Sequence, residues 1–158
     1  MGLARAVWIS LRPRQWVKNL FVLAGVIFSR NLFTPLLWPA LAAFVLFCAL
    51  SGGIYLLNDV ADYDKDRLHP TKRHRPVASG ALSRAAALRI GVGILLVSLT
   101  LSFFLSRLFG WVALGYVVLL VAYSAGLKRV VIVDALTVSV GFVLRAVAGA
   151  VVIDVEIS

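Results

Sequence analysis

Residues 31–58 contain no charged side chain. An apolar run longer than the ~20 residues that cross a hydrocarbon core leaves few folds open. In lipid the backbone polar groups must be satisfied within the segment, so such a run becomes a helix, here starting near Pro35 or Leu36 because proline is tolerated in a first turn. Three more apolar stretches follow, at 84–106, 108–127 and 130–153. A shorter one, 19–29, falls below the ~20 residues of a span but gains length if Lys18 and Arg30 snorkel to the interfaces. The expected fold is an all-α, multi-span transmembrane helical bundle with about five spans, making one membrane domain over 1–158. The chain is 61% hydrophobic, against roughly 45–50% in soluble domains. Cys48 is the single cysteine and lies inside a span, which excludes a disulfide framework and points to packing.

The net charge of +9 does not call for nucleic acid, because Lys and Arg gather in the cytoplasmic loops of membrane proteins. With five crossings, Arg5, Arg12, Arg14 and Lys18 share a side with Lys65, Arg67, Lys72, Arg73, Arg75 and Arg84, and with Lys128 and Arg129. Only Arg30 and Arg107 fall opposite. This asymmetry supports the short first span and sets the N-terminus and the loop at about 58–84 on the cytoplasmic face of the plasma (inner) membrane. Segment 1–18 mixes these cations with Trp8, Leu11 and Trp16, as expected of a headgroup-level segment among membrane lipids.

Residues 58–80, NDVADYDKDRLHPTKRHRPVASG, concentrate charge in an otherwise lipid-like chain and must sit in water. On a helix advancing about 100° per residue, Asn58, Asp59, Asp62 and Asp66 fall in one sector and Asp64 points away. Three carboxylates and an amide on one stripe repel one another unless a cation joins them. Oxygen ligands of this kind suit Mg²⁺, which usually bridges to substrate phosphates. Chance acids at an exposed helix end explain a lone pair, but not this spacing followed at once by Lys72, Arg73 and Arg75. Gly52 and Gly53, just before the stripe, allow close approach of a neighbouring helix.

Asp134 and Arg145 interrupt the last span. An ionised group there costs at least ~2.5–3.5 kcal/mol near the bilayer centre, so both must face protein or water. The 11 residues between them correspond to about 20° of rotation and roughly 16 Å of rise, which puts them on one face but out of contact. Each either satisfies a polar group on a neighbouring helix or lines a cavity, and Asp134 is nearer the cytoplasmic mouth.

The pattern N-D-x-x-D-x-x-x-D from Asn58 to Asp66, the segment Pro70-Thr71-Lys72-Arg73-His74-Arg75-Pro76 and the turn Ser79-Gly80 resemble the first aspartate-rich motif of the UbiA superfamily of intramembrane prenyltransferases. The resemblance covers nearly all of this chain but only about the first half of a superfamily member. A longer protein, with more spans and a second charged motif, is therefore expected. It implies that Asp59, Asp62 and Asp66, with Asn58, hold Mg²⁺ and the substrate diphosphate, while Lys72, Arg73 and Arg75 take the remaining phosphate charge. Tyr123 and Lys128-Arg129 resemble a Tyr…Lys-Arg element that holds phosphate oxygens, although a basic pair at a cytoplasmic helix end is also ordinary.

Residues 12–19, RPRQWVKN, with Tyr123…Leu127-Lys128 and Leu144-Arg145-Ala146-x-Ala148-Gly149, are most similar to one branch, the decaprenyl-phosphate phosphoribosyltransferases of cell-wall arabinan precursor synthesis. That likeness implies transfer of 5-phosphoribosyl from phosphoribosyl pyrophosphate to a polyprenyl phosphate. Arg12, Arg14 and Lys18 would then meet the acceptor phosphate, or else anchor to anionic headgroups. One alternative is transfer of a prenyl group from a prenyl diphosphate to an aromatic or haem acceptor. Another is a non-enzymatic membrane or transport component, with Asp134 and Arg145 lining a path.

Overall fold

The computed structural model describes residues 1–125 and 131–154, with side chains at all of these but 125 and 131–134. The helices are α1 Leu3–Ser10, α2 Ala24–Phe28, α3 Leu37–Ala61, α4 Tyr63–Leu68, α5 Arg84–Leu105, α6 Arg107–Ala125 and α7 Val131–Val152, with 3-10 helices at Pro13–Leu23 and Lys72–His74. This is the all-α bundle expected. Among the described residues four helices are long and apolar enough to cross a membrane: Leu37–Ala61, Arg84–Leu105, Arg107–Ser124 and Ala135–Val152.

The first of the five expected spans, 19–29, is not among them, and the first segment has another form. It is wound as the 11-residue 3-10 helix followed by five residues of α2, behind an Arg12 with φ 53° and a proline in the first turn. The looser winding adds reach. At about 2.0 Å per 3-10 residue and 1.5 Å per α residue the segment extends roughly 30 Å, the thickness of a hydrocarbon core. It packs between α3 and α7.

Pro39 lies in the first turn of α3. Ser83 caps α5 by accepting from the Ala86 amide at 3.2 Å, which satisfies one otherwise orphaned N–H. A single extended residue, Ser106, then reverses the chain into α6. Consecutive long helices therefore run antiparallel, and the ends of α3 and α6 and the starts of α5 and α7 gather at the aspartate end.

The core is built around Phe47, Phe109 and Tyr116, whose ring centroids lie 5.8 and 5.0 Å from Phe47, with Val22, Leu50 and Ala148 beside them. As expected, small residues set the closest approaches. A methyl on Gly53 would stand 2.9 Å from Leu95 Cγ and 3.2 Å from the Gly91 carbonyl of α5, and Gly52 meets Leu11. Outward residues such as Phe104, 83% exposed, remain apolar, as a lipid-facing surface requires. A second cluster of Ala6, Leu56, Val77, Leu82 and Ala87 pins the polar loop onto α1, α3 and α5, so its charged residues are held in place.

The tightest contact joins α7 to the first segment. A methyl on Gly149 would overlap the Val22 carbonyl, and one on Gly25 would sit 2.8 Å from the Gly149 oxygen. Backbone cannot yield as a side chain tip does. Gly149→Ala is expected to destabilise the detergent-solubilised protein by about 1–3 kcal/mol, the usual cost of overpacking, seen as a lowered thermal midpoint. Gly93, with open space at its Cβ position, is the control.

Candidate functional site

Helix α3 ends at Ala61, and Asp62 (φ −91°, ψ 9°) links it to α4. The stripe is therefore broken at its centre, and Asp66 is presented from a second helix. Arg75 joins the two sides. Its Nη1 donates to Asp66 Oδ2 at 2.6 Å and to Asp59 Oδ1 at 3.3 Å. Arg12 also pairs with Asp59, its guanidinium 4.7 Å from the centre of the Tyr55 ring. Asp59 and Asp66 are only 2% and 3% exposed, so these are buried carboxylates held by half-exposed arginines.

Arg12 is the partner that sequence reasoning missed, having been assigned to a lipid phosphate. A signal was present in Pro13, which disfavours right-handed helix at the residue before it. α1 accordingly stops, and Arg12 turns into the left-handed region, which costs an L-residue strain.

Of the other expected ligands, Asn58 faces a cavity, and Asp62 is half-buried at the helix break. Lys72 and Arg73 are exposed on the short 3-10 turn, with Arg73 Nε 3.4 Å from His74 Nε2. Asp64 is exposed and away from the cluster, as expected. Among the described residues no three His, Cys, Asp or Glu side chains form a metal-holding group. The donor set that is present suits a less enclosed ion. Two carboxylate oxygens converge on one positively charged nitrogen, and Mg²⁺ commonly takes one or two carboxylates plus phosphate oxygens and water. Asp59 and Asp66 fit that role, with the Arg75 nitrogen holding the position of the positive charge.

A cavity of about 220 Å³ opens beside the cluster, lined by Lys18, Tyr55, Asn58, Tyr116, Tyr123 and Arg145 among others. Arg14 is exposed and does not line it. Four residues of 3-10 helix, at three per turn, rotate Lys18 about 120° from Arg14, so the two cannot share a face. At the cavity floor Arg145 donates from Nε to Asn19 Oδ1 at 2.8 Å, from Nη1 to the Gly141 carbonyl at 2.8 Å and from Nη2 to the Tyr116 hydroxyl at 2.7 Å. Asn19 in turn donates to Ser51 Oγ at 3.1 Å. Both roles considered for Arg145 are thus realised together. Asn19 was not foreseen as a partner, although a buried amide in an apolar segment is the usual mark of an interhelical hydrogen bond. Lys128 and the Asp134 side chain lie outside the described residues.

Residues 19–158 match the model of the UbiA prenyltransferase family. The chain belongs to the UbiA prenyltransferase family. Among its UbiA-family relatives, the decaprenyl-phosphate phosphoribosyltransferase of Mycolicibacterium smegmatis is 38% identical over 162 residues, which are 99% of this chain and 50% of the relative. The enzyme of the same name from Corynebacterium glutamicum is 39% identical over 169 residues, 99% of this chain and 49% of its own length. A protoheme IX farnesyltransferase from Bdellovibrio bacteriovorus is 42% identical over 65 residues, 41% of this chain and 22% of the relative. The chain spans about half the length of the curated phosphoribosyltransferases it matches.

Proposed function

We propose that the full-length protein is an integral membrane, Mg²⁺-dependent transferase that moves 5-phosphoribosyl from phosphoribosyl pyrophosphate to a polyprenyl phosphate such as decaprenyl phosphate, supplying a lipid-linked precursor for cell-wall arabinan. The observation that carries this is the convergence of Asp59 and Asp66 on Arg75, next to a cavity lined by Lys18 and Arg145. Its relatives named for the same chemistry agree with it.

When bound, Mg²⁺ neutralises the diphosphate and makes it a better leaving group. Asp59 and Asp66 hold the ion, and Asp62, at the break between them, is the third candidate ligand. Arg12 keeps Asp59 aimed, and Arg75, yielding its place between the carboxylates to the ion, joins Lys72 and Arg73 in offsetting phosphate charge. Asn58, Tyr123 and Lys18 face the cavity, where they orient the donor, and the sequence adds Lys128 and Asp134 as candidate substrate-binding residues. Arg14 meets the headgroup layer from which the lipid phosphate arrives. An oxygen of that phosphate forms a bond to ribose C1 while the C1–O bond to diphosphate breaks, and the electron pair leaves with the diphosphate. The acceptor oxygen is already ionised near neutral pH, so no general base is required. The chain's task is positioning and electrostatic stabilisation. The excess of Lys and Arg at the aspartate end supports a cytoplasmic site.

The local match to a farnesyltransferase favours one alternative, prenyl transfer from a prenyl diphosphate. Liposomes carrying the full-length protein separate the two. Radiolabelled phosphoribosyl pyrophosphate with decaprenyl phosphate is expected to yield labelled lipid, dependent on Mg²⁺. Label transfer only from a prenyl diphosphate to an aromatic or haem acceptor would reject the phosphoribosyl reading.

A further inference from the structure

The geometry points to a second anion site in this chain, at the cavity floor, where Arg145 receives a phosphate monoester. The inference rests on the proposed transferase reading and adds a subsite to it.

Arg145 is 7% exposed and has no salt-bridge partner among the described residues. Position 134 lies eleven residues away on the same helix, about 16 Å of helical rise. The three hydrogen bonds that Arg145 donates go to neutral oxygens of Asn19, Gly141 and Tyr116. A guanidinium has five N–H donors, so two remain. A buried charge is costly unless it is paired, and here the surroundings supply alignment without neutralisation. The Tyr116 and Phe142 rings, at 4.8 and 5.4 Å from the guanidinium carbon, fix its plane further. Such a group is preorganised for an anion that enters with the ligand.

The cavity shows which kind. Its wall on α7 runs from Thr137 to Arg145, about 12 Å of helical rise, and its wall on α3 begins at Asn58, the neighbour of Asp59. A molecule with its diphosphate at the aspartates can therefore extend inward and place another acidic group at the floor. Both reactants of the proposed transfer carry the same group, a phosphate monoester: the donor at its 5-position and the lipid acceptor at its head. Guanidinium matches such oxygens in paired geometry.

The test uses the full-length protein in nanodiscs, with ribose 5-phosphate, geranyl phosphate and Mg²⁺-pyrophosphate as separate probes in calorimetric titrations. Binding of either monoester, weakened about tenfold or more in Arg145→Gln as expected for loss of a charged hydrogen bond, with pyrophosphate binding unchanged, supports the site. Ribose 5-phosphate alone identifies the donor's phosphate, and geranyl phosphate alone the acceptor's. If Arg145→Gln does not fold, Tyr116→Phe keeps the charge and frees its orientation, and should weaken the monoester several-fold. Wild-type binding of neither monoester, or unaltered monoester binding in the folded variant, overturns the inference. The transferase reading fails separately, by loss of Mg²⁺-pyrophosphate binding in the wild type.

Discussion

Asp59→Ala in the full-length protein is expected to lower phosphoribosyl transfer by at least about 10³-fold, because it removes one of two carboxylates that aim a metal-bound diphosphate. The fold should survive. Arg12 and Arg75 are 28% and 29% exposed at their side chains, so on losing Asp59 both can turn toward water rather than remain as buried unpaired charges. The loss should therefore appear as turnover in liposomes, with little change in thermal midpoint. Transfer within tenfold of the wild type would reduce the cluster to a structural ion network.

Arg75→Met has the opposite signature. Without the guanidinium, Asp66 loses its only ion-pair partner among the described residues and faces Asp59, with both carboxylates buried. Removing one partner of a buried ion pair costs about 3–5 kcal/mol, to which like-charge repulsion adds. In chelator the variant should melt well below the wild type. Millimolar Mg²⁺ should restore much of the difference, since a cation that binds only the folded state stabilises by about 2.7 kcal/mol at a hundred times its dissociation constant. Melting curves with EDTA and with MgCl₂ measure this. A deficit indifferent to Mg²⁺ would mean that the two carboxylates do not form a cation site.

These two effects depend on pairings that a linear reading does not contain. The long helices were legible, because an uncharged run dictates a helix wherever lipid is the solvent. The expected 84–106 became Arg84–Leu105, and 130–153 became Val131–Val152. Hydropathy says nothing about winding, however, so the 3-10 form of Pro13–Leu23 was not visible. The aspartate stripe was legible as composition and local order, but its arithmetic assumed one helix through Asp62, where two meet. Arg12 lies 47 residues from Asp59, and Asn19 lies 126 from Arg145. Both contacts follow from tertiary packing of the first segment between α3 and α7. Periodicity along one helix cannot report a side chain arriving from another.

The most direct measurement is electron paramagnetic resonance of Mn²⁺, substituted for Mg²⁺, in the full-length protein with pyrophosphate. The account predicts an immobilised, protein-bound Mn²⁺-pyrophosphate signal in the wild type, and only the signal of Mn²⁺-pyrophosphate free in solution in Asp59→Ala and Asp66→Ala. A protein-bound signal that persists unchanged in both variants would contradict it.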